Sequence, residues 1–297
     1  MNAGMLLAKG GIGDRSFNDS AYSGLQQAQK KFGIRFETAD FSTDDANLRK
    51  LQDFARQNFG IIIGIGFENA KYIGTVAKEF PDNKFAIIDT EVIGNNIASF
   101  VYREQEGDFL MGVLAAMLTQ TKKIGIVAGA DIPITWRIIN GFKQGVTYED
   151  KSIQVFVDIS GTFTDPEVGK KLALAQYEKG IDIIYNPAGR TGLGIIEAAK
   201  QVGKLTIGTS GDQRYLAPGN VIGNRPKRVD QAVLNLVEQI TQGNFTSGTR
   251  SLGLKEGGLE LGPFDENLVS KPIIAHLEEL KQEIINGKIQ VEQKEGK

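Results

Sequence analysis

The sequence predicts an α/β fold in two lobes, each built on a parallel, doubly wound sheet. Short apolar runs alternate with segments of helical periodicity along the whole chain, which is the signature of repeated β-α units. Ile61-Ile62-Ile63-Gly64-Ile65-Gly66 is apolar throughout, as in a strand covered on both faces. The alternation pauses at Glu104-Gln105-Glu106-Gly107 and restarts at Lys123, so two halves repeat one architecture.

The first strand is read as Met5-Leu6-Leu7-Ala8. A helix begins at Asn18 or Asp19, carries Ala21, Leu25, Ala28 and Phe32 on one face, and stops at Gly33. Residues 34–41 form strand two, and Ser42-Thr43-Asp44-Asp45 caps a helix with Leu48, Leu51, Phe54 and Ala55 inward, closed by Gly60. Strand three is the isoleucine run. Phe67-Glu68-Asn69 opens the next helix, and residues 84–89 and 97–103 are further strands. After the first crossing, an apolar helix over 109–118 offers Gly112, Ala115 and Ala116 for close packing. Strands over 123–129, 153–159, 181–185 and 205–209 then alternate with helices from Pro133, from Asp165-Pro166 and from Gly194. Asp165 before Pro166 is a strong helix start, because proline at the first helical position gives up no needed N–H. A helix over 229–240 and a strand within 249–258 return to the first lobe, and the rest returns to the second, with a last helix ending at Gly287. The lobes are therefore 1–105 plus 229–258 and 106–228 plus 259–297, with residues 292–297 expected to fray.

The chain is organised around Gly10-Gly11-Ile12-Gly13-Asp14-Arg15-Ser16-Phe17-Asn18-Asp19, the turn between the first strand and the first helix. Its glycines open backbone conformations closed to other residues, and a helix start leaves N–H groups without internal partners. A P-loop motif is absent, and a Gly-x-Gly-x-x-Gly fingerprint begun at Gly11 meets Ser16 at its third glycine. Beyond the glycines the turn carries a ring, an amide and carboxylates, suited to stacking on an aromatic ligand and bonding its polar edge. Phe17, Asn18 and Asp14 are the candidates here; the alternative is an ordinary βα turn capped by Asn18 or Asp19.

Ligands of open α/β sheets bind beyond the carboxyl ends of the strands. Those ends add Asp89, Trp136, Phe163, Gly189, Asp212 and Lys227 as ligand-binding candidates. Trp136 either stacks on a ligand or lies under a loop, and Phe163 either stacks or staples the helix it precedes. Gly189 lets backbone approach a ligand or makes a tight turn. Asp212 is suited to accept from two vicinal sugar hydroxyls, with Lys227 adding positive charge.

Composition removes whole classes of chemistry. The 297 residues are 41% apolar and 24% charged with a net charge of −2, a globular pattern with no nucleic-acid footprint. There is no cysteine and a single histidine, His276, in a charged C-terminal helix where it reads as a surface residue. Thiolate chemistry and multi-histidine metal sites are excluded, and no paired acid and base points to catalysis. No metal or cofactor is expected. No apolar run approaches the length of a membrane span. Residues 1–4 run almost directly into strand one, so the chain reads as a mature form trimmed of a signal or lipid-anchor segment.

These blocks taken in order, with Ile88-Asp89, Arg103-Glu104-Gln105-Glu106-Gly107-Asp108-Phe109-Leu110, Asp131-Ile132-Pro133, Gly161-Thr162-Phe163-Thr164-Asp165-Pro166, Thr191-Gly192-Leu193-Gly194 and Asp212-Gln213, give the chain a resemblance. It resembles the basic membrane protein family of bacterial lipoproteins, the PnrA-like purine nucleoside receptors of ABC transporters, over nearly its whole length. The resemblance implies a type I periplasmic-binding-protein fold whose lobes are joined by a three-strand hinge, with the ligand in the interlobe cleft. It implies that Phe17 stacks on the base with Asn18 and Asp89 beside it, that Asp212 and Lys227 hold the ribose, and that Gly189 packs near the sugar. It further implies an ABC permease as partner, a monomer, and an extracytoplasmic place, periplasmic or lipid-anchored. Three departures stand out: Ala8 where relatives carry an aspartate, Asn224-Arg225-Pro226-Lys227 where Ser-Met-Leu-Lys is usual, and Ser210-Gly211 where Asp-Ser is usual. The rival readings are a receptor for another ring compound such as a free purine base or a flavin, a sugar- or nucleotide-processing enzyme, and a ligand-sensing regulator of the same fold.

Overall fold

The computed structural model describes residues 1–296. In chain order the elements are β1 (Asn2–Leu6), α1 (Phe17–Phe32), β2 (Arg35–Ala39), α2 (Asp44–Arg56), β3 (Ile61–Ile65), α3 (Ala70–Glu79), β4 (Phe85–Ile88), β5 (Ile97–Tyr102) and α4 (Glu104–Leu118). The chain continues through β6 (Lys123–Ala128), α5 (Pro133–Glu149), β7 (Gln154–Ile159), α6 (Pro166–Glu178), β8 (Ile183–Tyr185), α7 (Gly192–Val202), β9 (Leu205–Thr209), β10 (Val221–Arg225), α8 (Val229–Thr241), β11 (Gly248–Leu252) and α9 (Lys271–Ile285). Among the described residues no helix is long and apolar enough to cross a membrane.

The chain divides into two units. The first holds Met1–Tyr102 and Arg228–Leu252, and the second holds Arg103–Lys227 and the segment from Gly253 onward. The chain passes between them after Tyr102, Lys227 and Leu252, against the 105, 228 and 258 read from the sequence.

The first unit is a six-stranded sheet in the order β11-β5-β4-β3-β1-β2, parallel throughout. Strand β1 begins three residues earlier than the apolar run suggested. Asn2–Leu6 pairs with β2 on one side while Ala3–Leu6 pairs with β3 on the other, so central position in the ladder fixes its span. Leu51, Phe54, Tyr72, Ile73 and Val76 from α2 and α3 close over Leu6, Ile62, Phe85 and Ile87 of the sheet. Helix α1 ends as its glycine requires, with Gly33 at φ 66° and its N–H on Gln29 O at 2.9 Å. Returning α8 lies against α1, where the Asp230 N–H reaches Ser20 Oγ at 3.2 Å.

The second unit is a five-stranded parallel sheet in the order β10-β9-β8-β6-β7. Asp165 caps α6 by accepting from Glu167 N at 3.0 Å and Val168 N at 3.4 Å. Ala173, Tyr177, Ile195 and Ala198 cover Val127 and Ile184 on one face of the sheet. Helix α4 starts at Glu104, five residues before the apolar run, so the expected crossing segment is in fact its first turn. Residues 292–296 lie against α5. Gln144 of α5 takes both the N–H and the C=O of Glu292 at 2.9 Å, and Asn140 Nδ2 donates to Lys294 O at 3.2 Å and Gly296 O at 2.8 Å. Lys297 lies outside the described residues.

Candidate functional site

At the carboxyl end of the first sheet, the turn after β1 is ordered by two carboxylates. Asp14 is buried and accepts from the backbone N–H of Ser16 at 2.8 Å, Asn18 at 2.9 Å and Asp19 at 3.2 Å, and from Asn18 Nδ2 at 3.0 Å. Asp19 reaches back to the N–H of Gly13 at 2.6 Å and of Arg15 at 3.0 Å. Gly10, Gly11 and Gly13 take φ of 101°, 59° and 90°, which a side chain would resist, and Arg15 takes 52° without that freedom. The helix therefore begins at Phe17, not Asn18 or Asp19, and its capping carboxylate is Asp14. Burial pushes the Asp14 carboxyl above its usual range, opposed by the three backbone N–H groups.

Asn18 is also buried. Its Oδ1 accepts from Ala8 N at 2.9 Å, which ties the helix start to the strand end, while Phe17 beside it is half-buried. Asp89 comes directly after β4, half-buried, with φ 78° and its N–H on Phe100 O at 2.8 Å. A non-glycine residue held there is strained, and such strain gathers at functional positions. Glu68, which sequence reasoning did not single out, lies in the same strand-end region; burial raises its carboxyl, the Asp89 charge adds to that, and Lys9 opposes it.

In the second unit, Phe163 and Gly189 are neighbours. The Phe163 ring lies on the backbone of Gly129 at the end of β6, where an added Cβ would sit 2.0 Å from Cε1. Gly189 (φ 57°) faces the Phe163 carbonyl, which accepts from Thr191 N at 3.3 Å. Trp136 stands half-buried in the first turn of α5 and its Nε1–H donates to Asp131.

Asp212 is exposed and already engaged. Arg214 Nε and Nη2 grip its two oxygens at 2.9 Å each, and Arg214 N adds a bond at 3.1 Å, which holds the carboxyl below its usual range. Asn224 stabilises that loop by accepting from Gln213 N at 3.1 Å and donating to Asp212 at 3.4 Å. Ser210 in the same loop takes φ 65°. Lys227 is buried, and its Nζ donates to Glu104 Oε1 at 2.8 Å. Glu104 also accepts from Arg137 Nε at 2.7 Å. Burial pushes the Glu104 carboxyl up, but Lys227 and Arg137 outweigh that and hold it below the usual range. One turn along α4, Asp108 accepts from Arg225 Nε at 2.8 Å and from the Tyr185 hydroxyl. Gly107 makes room for this pair, since a Cβ there would lie 2.9 Å from Arg225 Cδ.

Sequence reasoning missed Glu104, Asp108, Arg137 and Arg225 as a buried charged group. The signal it could have used was the run of polar residues directly before an apolar helix, together with Arg225-Pro226-Lys227 beyond a strand. His276 is part-exposed and stands 3.8 Å from Glu149. Among the described residues no group of acidic or histidine side chains is placed to hold a metal ion.

A family description, ABC transporter substrate-binding protein PnrA-like, matches residues 1–295. Basic membrane protein A1 of Borrelia garinii subsp. bavariensis is 33% identical over 294 residues, covering 96% of this chain and 86% of that protein. An uncharacterized lipoprotein of Pyrococcus furiosus is 33% identical over 271 residues, covering 86% of this chain and 68% of that protein. The crystal structure of an ABC transporter system solute-binding protein from Aeropyrum pernix K1 superposes with a TM-score of 0.91 at 29% identity, over 99% of this chain and 93% of that one. Two parallel sheets with their strand-end loops, a match running from residue 1 to 295 and relatives at this identity lead to one conclusion: the chain belongs to the Bmp family of PnrA-like ABC transporter substrate-binding proteins.

Proposed function

We propose that this substrate-binding protein serves an ABC importer outside the cytoplasm and that its ligand is a purine nucleoside of the adenosine, guanosine or inosine type. The observation that carries the ligand class is the occupation of the first turn by Asp14 and Asp19. A helix start is a ready anion site only while its N–H groups are free. Here two carboxylates hold five backbone N–H groups of the turn and helix start, those of Asn18 and Asp19 within the helix among them, and their charge repels a phosphate. The ligand is then a ring compound without phosphate, which separates a nucleoside from a nucleotide.

In this reading Phe17 stacks on the base, Asn18 and Asp89 meet its polar edge, and Asp14 positions Asn18. Trp136 and Phe163 supply further aromatic surface, Gly189 lies near the sugar, and Asp212 and Lys227 bind the ribose. The lipoprotein among the relatives supports attachment to the outer face of the cell membrane through a lipid, and delivery to a permease follows from the family's role. The receptor acts as a monomer.

A second ligand class has one observation in its favour. Asp212 is gripped by Arg214 and Lys227 is paired with Glu104, so both ribose candidates carry partners of their own. That arrangement suits a free purine base or a flavin ring, whose recognition depends less on them. Calorimetric titration of wild type, Phe17→Ala and Asp212→Ala with inosine and hypoxanthine separates the two. Loss of stacking in Phe17→Ala weakens inosine binding about tenfold or more, and an unchanged affinity removes the stacking role. Asp212→Ala weakens inosine more than hypoxanthine if the carboxylate holds the ribose; equal losses favour the base.

A further inference from the structure

Arg137, Asn140 and Gln144 lie at spacings of three and four along α5, which puts them on one helix face. All three are used by the same partner, the C-terminal segment. Gln144 pairs with both backbone groups of Glu292 at 2.9 Å, Asn140 donates to the carbonyls of Lys294 and Gly296, and Arg137 Nη1 donates to Glu295 Oε1 at 2.7 Å. The first two contacts are to backbone and fix the register of the segment. The third reads a side chain and reaches a buried cation.

Arg137 is 9% exposed and its Nε is committed to Glu104, a fully buried carboxylate that also serves Lys227 at 2.8 Å. One carboxylate thus holds two cations, and Glu295 gives Arg137 a second anion. A guanidinium divided between two carboxylates is fixed in plane and in position. Arg137 uses Oε2 of Glu104 and Lys227 uses Oε1, so without Glu295 the guanidinium would depend on Glu104 alone and any shift it makes would move the carboxylate that seats Lys227.

We infer that the C-terminal segment is a strap across α5 and that Glu295 is a positioning residue, holding Lys227 in place through Arg137 and Glu104. Its consequence for ligand binding rests on the proposed role of Lys227, whereas the strap itself does not. The ammonium of Lys227 stays seated on Glu104 while the strap is fastened, and loosens when Glu295 loses its charge or the segment is removed.

Two readouts on the full chain test this. Acetylation of Lys227 by acetic anhydride, with peptide mass spectrometry as the assay, reports seating without any ligand, because a residue that is 5% exposed reacts only when it opens. We expect Glu295→Gln, and a chain ending at Val291, to label Lys227 about threefold faster or more, and Glu295→Asp to restore most of the protection because the charge is what matters. Titration with inosine should show a matching loss of affinity in Glu295→Gln. Lys227 labelling equal to wild type in both the glutamine variant and the shortened chain overturns the strap, and failure of Glu295→Asp to restore protection overturns the role of charge. A wild-type protein that ignores inosine counts against the nucleoside reading alone, and the labelling still decides the strap.

Discussion

Asp108 is fully buried, with Arg225 and the Tyr185 hydroxyl on its Oδ1 and the Glu104 charge one turn away on the same helix. Burial pushes its carboxyl up to about 6, even though Arg225 pulls in the opposite direction. A carboxyl whose pKa is higher folded than unfolded binds its proton more tightly in the native state. Its contribution to stability is full below the unfolded value near 3.8 and is lost as pH rises through about 6. Asp108→Asn cannot titrate, so the difference in unfolding free energy between wild type and this variant isolates the effect. Urea unfolding should show wild type losing about 2–3 kcal/mol relative to the variant between pH 4 and pH 6.5. A difference that stays flat over that range would place the Asp108 titration elsewhere.

The helix pair α4 and α5 shows how closely elements must meet to bury such groups. A Cβ on Gly112 would lie 2.1 Å from Phe142 O, and one on Gly145 would lie 1.9 Å from Phe109 O, so the two backbones touch. Gly145→Ala must push the helices apart, which should cost about 2–3 kcal/mol and lower the urea midpoint without changing the slope; an unaltered midpoint would show that the pair has slack. Gly112 was legible in the sequence as a close-packing position because it interrupts an apolar helical face. The first turn of the same helix was not, since Glu104, Gln105, Glu106 and Asp108 have the polarity of a solvated crossing. Glu104 and Asp108 are buried with Arg137, Arg225 and Lys227 as partners, which lie 33, 117 and 123 residues away in the chain. Periodicity carries no information about pairs so distant. The turn after β1 obeys the same logic on a smaller scale: its glycines marked it, but which of three polar residues caps the helix depended on backbone angles that the sequence leaves open. Asn224 and Arg225 acquire physical roles only once the Asp212 loop and Asp108 are seen beside them.

At the scale of the whole molecule, two units each carry a parallel sheet whose strand ends hold turns rich in aromatic rings, amides and carboxylates. That repeat was the most legible feature of the chain, because β-α alternation and fully apolar strands are written locally and twice over. Positive φ at Asp89 and Ser210 falls at strand ends in both units, where strain is retained when position matters more than comfort. A ligand that binds only the folded state raises the melting temperature by mass action. The most direct measurement is a thermal-shift panel of nucleosides, nucleobases, flavins, nucleotides and simple sugars, with calorimetry on every compound that responds. We predict a shift of several degrees with inosine, adenosine or guanosine and none with the corresponding 5′-monophosphates, whose phosphate would meet the charges of Asp14 and Asp19. A response to nucleotides equal to that of nucleosides, or to flavins or sugars with none from nucleosides, would contradict this prediction.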